Sequence, residues 1–166
     1  MGRRSATALQ HGVTAVGVAA FVGLAAAGGS LYWDRVEARG VHAAQVALTA
    51  LTVDEIPKVF GYDYQTVERT MMDAYPLFTD DYRREFESRA TEAIIPQARE
   101  MHLVNQVDVV GVGVMQGVRR TSGSVLVYMN RTMTDKSKQT LYDGSRIRVD
   151  YQKVGSKWLI DKITPI

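Results

Sequence analysis

Apolar and polar positions along the chain follow three different rules in turn. Gly12–Trp33 is unbroken: twenty-two residues without one charge. As a helix it rises about 33 Å, enough to cross a hydrocarbon core of about 30 Å. From Asp34 the apolar positions return every third or fourth residue. Val36, Ala43, Ala44, Ala47, Leu48 and Leu51 make one helical stripe, continuous with the run before it. Asp54-Glu55-Ile56-Pro57 breaks that stripe. Tyr64, Val67, Met71, Tyr75 and Phe78 make a second, disrupted at Pro76. Thr79-Asp80-Asp81 reads as an N-cap with acids in the first turn. Tyr82, Phe86, Ala90, Ala93 and Ile94 then make a third, kinked or ended at Pro96, with a further turn reaching toward Met101.

After His102 the period drops to two. Val107–Met115 reads as a strand whose apolar phase slips near Val109-Val110, the mark of a bulge. Ser122-Gly123 turns the chain into Ser124–Thr134, with Val125, Val127 and Met129 on one face. Asp143-Gly144 signals another turn. Ile147, Val149 and Tyr151 alternate with Arg146, Arg148 and Asp150, and Gly155-Ser156 turns the chain into Trp158–Ile163. The expected architecture is α+β: an N-terminal transmembrane helix, then three helices packed on a curved antiparallel sheet of about four strands. The boundaries are a cytoplasmic N-terminus at 1–11, a span at 12–33 and an extracytoplasmic domain at 34–166.

Charge and small residues give the span a direction and a face. Arg3 and Arg4 precede it and mixed charges follow, so the positive-inside rule places the N-terminus in the cytoplasm and the domain outside a plasma (inner) membrane. Tyr32 and Trp33 close the span as interfacial anchors. Ala15, Ala19, Gly23 and Ala27 recur every fourth residue, a small-residue face that admits another helix closely; in a run this rich in Ala and Gly, chance gives the same spacing. The rival reading is a cleaved signal peptide, with Val13–Leu24 as its apolar core and Ala25-Ala26-Ala27 as its cleavage site. The apolar run continues past Ala27 to Trp33, which favours the anchor.

Composition removes several kinds of chemistry. There is no cysteine, hence no disulfide framework, thiol nucleophile or thiolate metal site. Residues 34–166 carry eighteen basic and eighteen acidic side chains, so no overall field collects nucleic acid. The balance is uneven: eight basic and thirteen acidic residues over 34–102, ten and five over 103–166. His11, His42 and His102 have no neighbours with metal-ligand spacing, and read as surface or helix-end residues. Asp108 and Asp150 are the strand carboxylates able to face a cavity, and Asp150 falls in the exposed phase. Gly111-Val112-Gly113 lies within a strand and opens no helix, so it cradles no phosphate. Arg119-Arg120 is a basic turn that reaches lipid headgroups if the domain sits close to the membrane. Met71, Met72, Met115, Met129 and Met133 are candidates for an adaptable apolar pocket, core filling being the ordinary alternative. No cofactor and no catalytic residue is expected.

Three helices followed by a curled antiparallel sheet is the order of the cone fold of nuclear transport factor 2 and ketosteroid isomerase. Several motifs narrow the resemblance. The span, Phe60-Gly61-Tyr62-Asp63-Tyr64, Leu77-Phe78-Thr79-Asp80-Asp81-Tyr82-Arg83-Arg84-Glu85-Phe86, Tyr128-Met129-Asn130-Arg131-Thr132, Arg146-Ile147-Arg148-Val149 and Lys157-Trp158-Leu159-Ile160 together resemble the Mce-associated membrane proteins of mycobacteria. The resemblance covers roughly residues 12–163. It implies a non-enzymatic accessory subunit of a lipid (fatty acid or sterol) import complex, with permease or Mce subunits and membrane lipid as partners. Tyr62-Asp63-Tyr64 is then a fold signature docking the second helix. Two alternatives share the layout: a VirB8-like scaffold of a secretion or conjugation machine, and a hydrophobic-ligand-binding or SnoaL/ketosteroid-isomerase-like domain.

Overall fold

A computed structural model describes residues 35–166. The span 12–33, its packing residues Ala15, Ala19, Gly23 and Ala27, its anchors Tyr32 and Trp33, and His11 lie outside the described residues. Among the described residues no helix is long and apolar enough to cross a membrane. Val41–Ile166 forms one compact unit. Residues 35–60 are helical, and α1 denotes residues 41–60 of that helix.

Ala44, Leu48, Thr52, Glu55, Ile56 and Val59 form the buried face of α1. The helix therefore runs through Asp54-Glu55-Ile56-Pro57, where the sequence pattern predicts a break. Pro57 removes one backbone donor, but Ile56 and Val59 are buried on either side of it and hold the last turn in place. The Gly61 amide donates to the Pro57 carbonyl at 2.8 Å and closes the helix. A Cβ at position 61 would meet that same oxygen at 2.6 Å, so the exit from α1 requires glycine.

The chain then forms β1 (Tyr62–Asp63), which pairs with the start of β2. Asp63 Oδ1 accepts the Gln65 amide at 2.8 Å, and the Thr66 amide donates to the Asp63 carbonyl at 2.9 Å. This Asx turn delivers α2 (Val67–Ala74), which buries Val67, Met71 and Ala74. Tyr64 donates its amide to the Leu103 carbonyl and stacks on His102 with ring centroids 4.6 Å apart. Tyr62-Asp63-Tyr64 thus ties the start of α2 to the first long strand. Pro76 lies in a single 3₁₀ turn, Tyr75–Leu77.

Thr79 is the N-cap of α3 (Asp80–Arg89), with Asp80 and Asp81 in the first turn. Its hydroxyl does not cap the helix; it donates to Asp161 Oδ1 at 3.1 Å. A π turn, Ala90–Ile94, leads into α4 (Ile95–Met101). Pro96 has no amide to donate, and the widened turn just before it absorbs the missing rung. His102 ends α4 in the left-handed region, φ 50°.

Five antiparallel strands form one meander, in the order β1-β2-β3-β4-β5. The long strands are β2 (Val104–Val114), β3 (Ser122–Thr134), β4 (Thr140–Val154) and β5 (Lys157–Pro165). The bulge lies between Val109 and Gly111, as the phase slip predicts. It lets Val107 and Val109 before it, and Val112 and Val114 after it, face the core together. Asp143-Gly144 is not a turn. It lies inside β4, and the reversal falls at residues 135–139, where Asp135 Oδ1 accepts the Ser137 and Gln139 amides. Helices and concave sheet meet over Leu48, Ile56, Val67, Met71, Phe86, Val125, Val127, Val149 and Ile160, all buried.

Candidate functional site

The inward-facing phases of β3 and β4 run from a sealed end to an open mouth. On β3 the phase is Val125, Val127, Met129 and Arg131; on β4 it is Tyr151, Val149, Ile147, Ser145 and Asp143. At the sealed end, Gly123 lets α1 come close. A Cβ there would sit 2.6 Å from Leu48 Cδ1.

A buried polar group occupies the sealed end. The Tyr151 hydroxyl donates to Glu55 Oε2 at 3.2 Å and lies 3.2 Å from Thr52 Oγ1. Thr52 Oγ1 is also 2.6 Å from the Leu48 carbonyl. Glu55 is only 5% exposed. Burial drives its pKa up to about 7, against the lowering effect of the Tyr151 hydrogen bond. Burial likewise pushes the Tyr151 phenol far up, so it stays a proton donor. These groups satisfy one another and do not line the open cleft.

The mouth is a cleft of about 350 Å³ between the helices and the sheet. Val59, Met71, Phe86, Ile94, Met129 and Ile147 supply apolar walls; Arg131, Arg89, Ser145, Tyr62 and Tyr82 supply polar ones. Arg131 pairs with Asp143 directly across the β3–β4 ladder. That bond and the Ser145 hydroxyl at 2.8 Å hold the Asp143 carboxyl below its usual range. The Nε–H of Arg131 is buried and has no partner. Burial raises the pKa of Tyr62 and Tyr82, so both are neutral donors near pH 7. No Asp, Glu or His side chain lines the cleft.

The residues weighed from sequence fall elsewhere. His42 is exposed on α1, and His102 caps α4 against Tyr64. Asp108 is exposed on the outer face of the sheet, opposite Asn130. Asp150 is on the outer face too, bonded to Ser124 and Arg148. Of the five methionines, Met71 and Met129 line the cleft; Met72 is 59% exposed and Met115 37%. Tyr128 is 43% exposed on the outer face. Arg119 and Arg120 lie in the exposed β2–β3 loop. Glu55 and Arg131 were not singled out by the sequence pattern. Arg131 had a signal: counting the Val125-Val127-Met129 alternation two residues further reaches it. Glu55 had none once α1 was taken to end before it.

No protein-family model matches the sequence, and no curated protein matches it. Solved structures do match the fold. One is an IcmL-like type IV secretion system protein from Legionella pneumophila, with TM-score 0.60 and 9% identity, covering 74% of this chain and 93% of that one. A second is VirB8 of Agrobacterium tumefaciens, with TM-score 0.58 and 12% identity, covering 73% and 90%. A third is the periplasmic domain of DotI, with TM-score 0.57 and 12% identity, covering 73% and 94%. The domain is therefore an α+β cone of the VirB8 kind, three helical segments on a curled antiparallel sheet, with five strands where the sequence predicts about four. The resemblance to Mce-associated proteins rests on its motifs alone.

Proposed function

We propose that this chain is a non-enzymatic scaffold subunit of a membrane-spanning secretion or conjugation machine. Residues 12–33 anchor it in the plasma membrane, and the Val41–Ile166 cone stands on the outer side and contacts other subunits. One observation carries the reading: the fold is that of domains from type IV secretion proteins, one of them periplasmic by name. The uncharged run ahead of the cone supplies an anchor of the right length. The polar group inside the cone is internally satisfied, and the cleft lining holds no Asp, Glu or His side chain, so the interior supports no acid–base reaction cycle.

A second reading is an accessory subunit of an Mce-type lipid import complex. It draws on the motif series from Phe60-Gly61-Tyr62-Asp63-Tyr64 to Lys157-Trp158-Leu159-Ile160, and uses the same anchor and cone. The two readings differ in partner, so partner identification decides between them. The tagged full chain is extracted from its own membrane in mild detergent, and the co-purifying chains are identified. Secretion or transfer subunits support the first reading; permease or Mce subunits support the second. Recovery of the chain alone, under conditions that preserve other membrane complexes, refutes both. In either case, Ala19→Leu with Gly23→Leu reduces recovery if the small-residue face of the span packs on a partner helix. Unchanged recovery removes that face from the interface.

A further inference from the structure

The cleft at the mouth of the cone is not explained by a scaffold role. A domain that acts only through its outer surface gains nothing from an unfilled, largely apolar hollow of about 350 Å³. This volume lies at the lower end of the range for small-molecule pockets, about 300–1,000 Å³. The walls divide into two chemistries. Met71, Phe86, Ile94 and Met129 present an adaptable apolar surface with two thioethers. Arg131 lies beside them at the rim, with Ser145 and Tyr62 near it.

The charged side chains of the lining are all positive: Arg89, Arg131 and Arg146. Asp143 and Glu85 are not in the lining and are paired with Arg131 and Arg89 respectively. Arg131 keeps donors in reserve: one terminal nitrogen serves Asp143, while its Nε–H is buried without a partner. A guanidinium carries five N–H donors in a planar fork that matches a carboxylate. Among the described residues, Asn105 Oδ1 is the other buried side-chain atom without a partner, and a buried donor such as the Arg131 Nε–H calls for an acceptor. Tyr62 stays protonated and adds a second donor.

We propose that the cleft binds a small amphipathic carboxylate, its head held by Arg131 with Tyr62 and Ser145, its short aliphatic tail lying between Met71, Phe86 and Met129. The cleft volume limits the tail to a short or medium chain. The site is independent of which membrane machine the chain serves.

The test uses the full chain in lipid nanodiscs and radiolabelled octanoate, by equilibrium dialysis with empty nanodiscs as the blank. Octan-1-ol supplies the same tail without charge, and acetate the charge without the tail. Saturable octanoate binding with one site per chain is expected, with both controls weaker by about tenfold or more, the scale of one charge-assisted bond or a few buried methylenes. Arg131→Gln weakens octanoate by about tenfold. Asp143→Asn removes the carboxylate that competes for the guanidinium and tightens binding. Circular dichroism checks that each variant is folded. No saturable binding above the blank overturns the proposal, as does octan-1-ol binding equal to octanoate. If Arg131→Gln does not fold, Asp143→Asn decides: unchanged or weaker octanoate binding overturns the proposal.

Discussion

Glu55 makes the stability of this domain depend on pH in a direction opposite to most carboxylates. Burial beneath α1 raises its pKa from 4.5 to about 7. Between those values the folded chain holds a proton that the unfolded chain has released. Stability from this group is then full below about pH 4.5, falls as pH rises toward 7, and stays low above it. At about 1.4 kcal/mol per pH unit, the whole fall amounts to about 3 kcal/mol. Glu55→Gln keeps an oxygen able to accept from the Tyr151 hydroxyl and cannot ionise. It should match the parent protein near pH 4.5 and exceed it by up to about 3 kcal/mol at pH 8. The assay is urea unfolding of both proteins at pH 4.5, 6, 7 and 8, with midpoints read by far-ultraviolet circular dichroism. Subtracting one protein from the other removes the titration of every group common to both. A stability difference that is constant with pH, or that shrinks as pH rises, refutes the reasoning: Glu55 would then be solvated or paired in the folded state.

Three other outcomes follow from particular contacts. Tyr151→Phe removes the hydroxyl bonded to Glu55, costing about 1–3 kcal/mol at pH 8, and moves the upper end of the stability decline to a pH above 7, because the hydrogen bond lowers the Glu55 pKa; the same urea series reads both. Gly61→Ala drives a methyl to within 2.6 Å of the Pro57 carbonyl oxygen and should cost about 1–3 kcal/mol, read as a lower thermal midpoint. The Thr79 hydroxyl serves Asp161 rather than its own helix, so Thr79→Ala and Asp161→Ala should be non-additive by about 0.5–1 kcal/mol in a double-mutant cycle. Full additivity would mean the hydroxyl acts on the helix alone.

Local pattern and tertiary burial decided different parts of the fold. The change of period after His102 and the bulge at Val110 depend on neighbours in the chain, and were legible for that reason. Pro57 was misread because a proline's local cost is fixed, whereas the gain from burying Ile56 and Val59 is known only once the sheet is present. Asp143-Gly144 has the composition of a turn, yet Asp143 is held in the ladder by Arg131 across from it. The reversal went to Asp135, whose side chain caps two amides locally. The cleft was half legible: two of its methionines were named, but the arginine that gives it a sign was not.

The correction at Pro57 reaches both ends of the interior. Extending α1 by its last two turns carries Glu55 and Val59 over the sheet. Glu55 meets Tyr151 at the sealed end, and Val59 becomes a wall of the cleft at the open end. The continuing helix places them at opposite ends, Glu55 with Tyr151 and Val59 in the cleft wall. It leaves the titratable pair sealed and self-satisfied, and it leaves the mouth with arginine, tyrosine and apolar walls, groups suited to holding an anion and not to moving a proton. The extra helical turns thus shape the cleft as well as the core, since they supply both the partner of Tyr151 and one of the cleft walls.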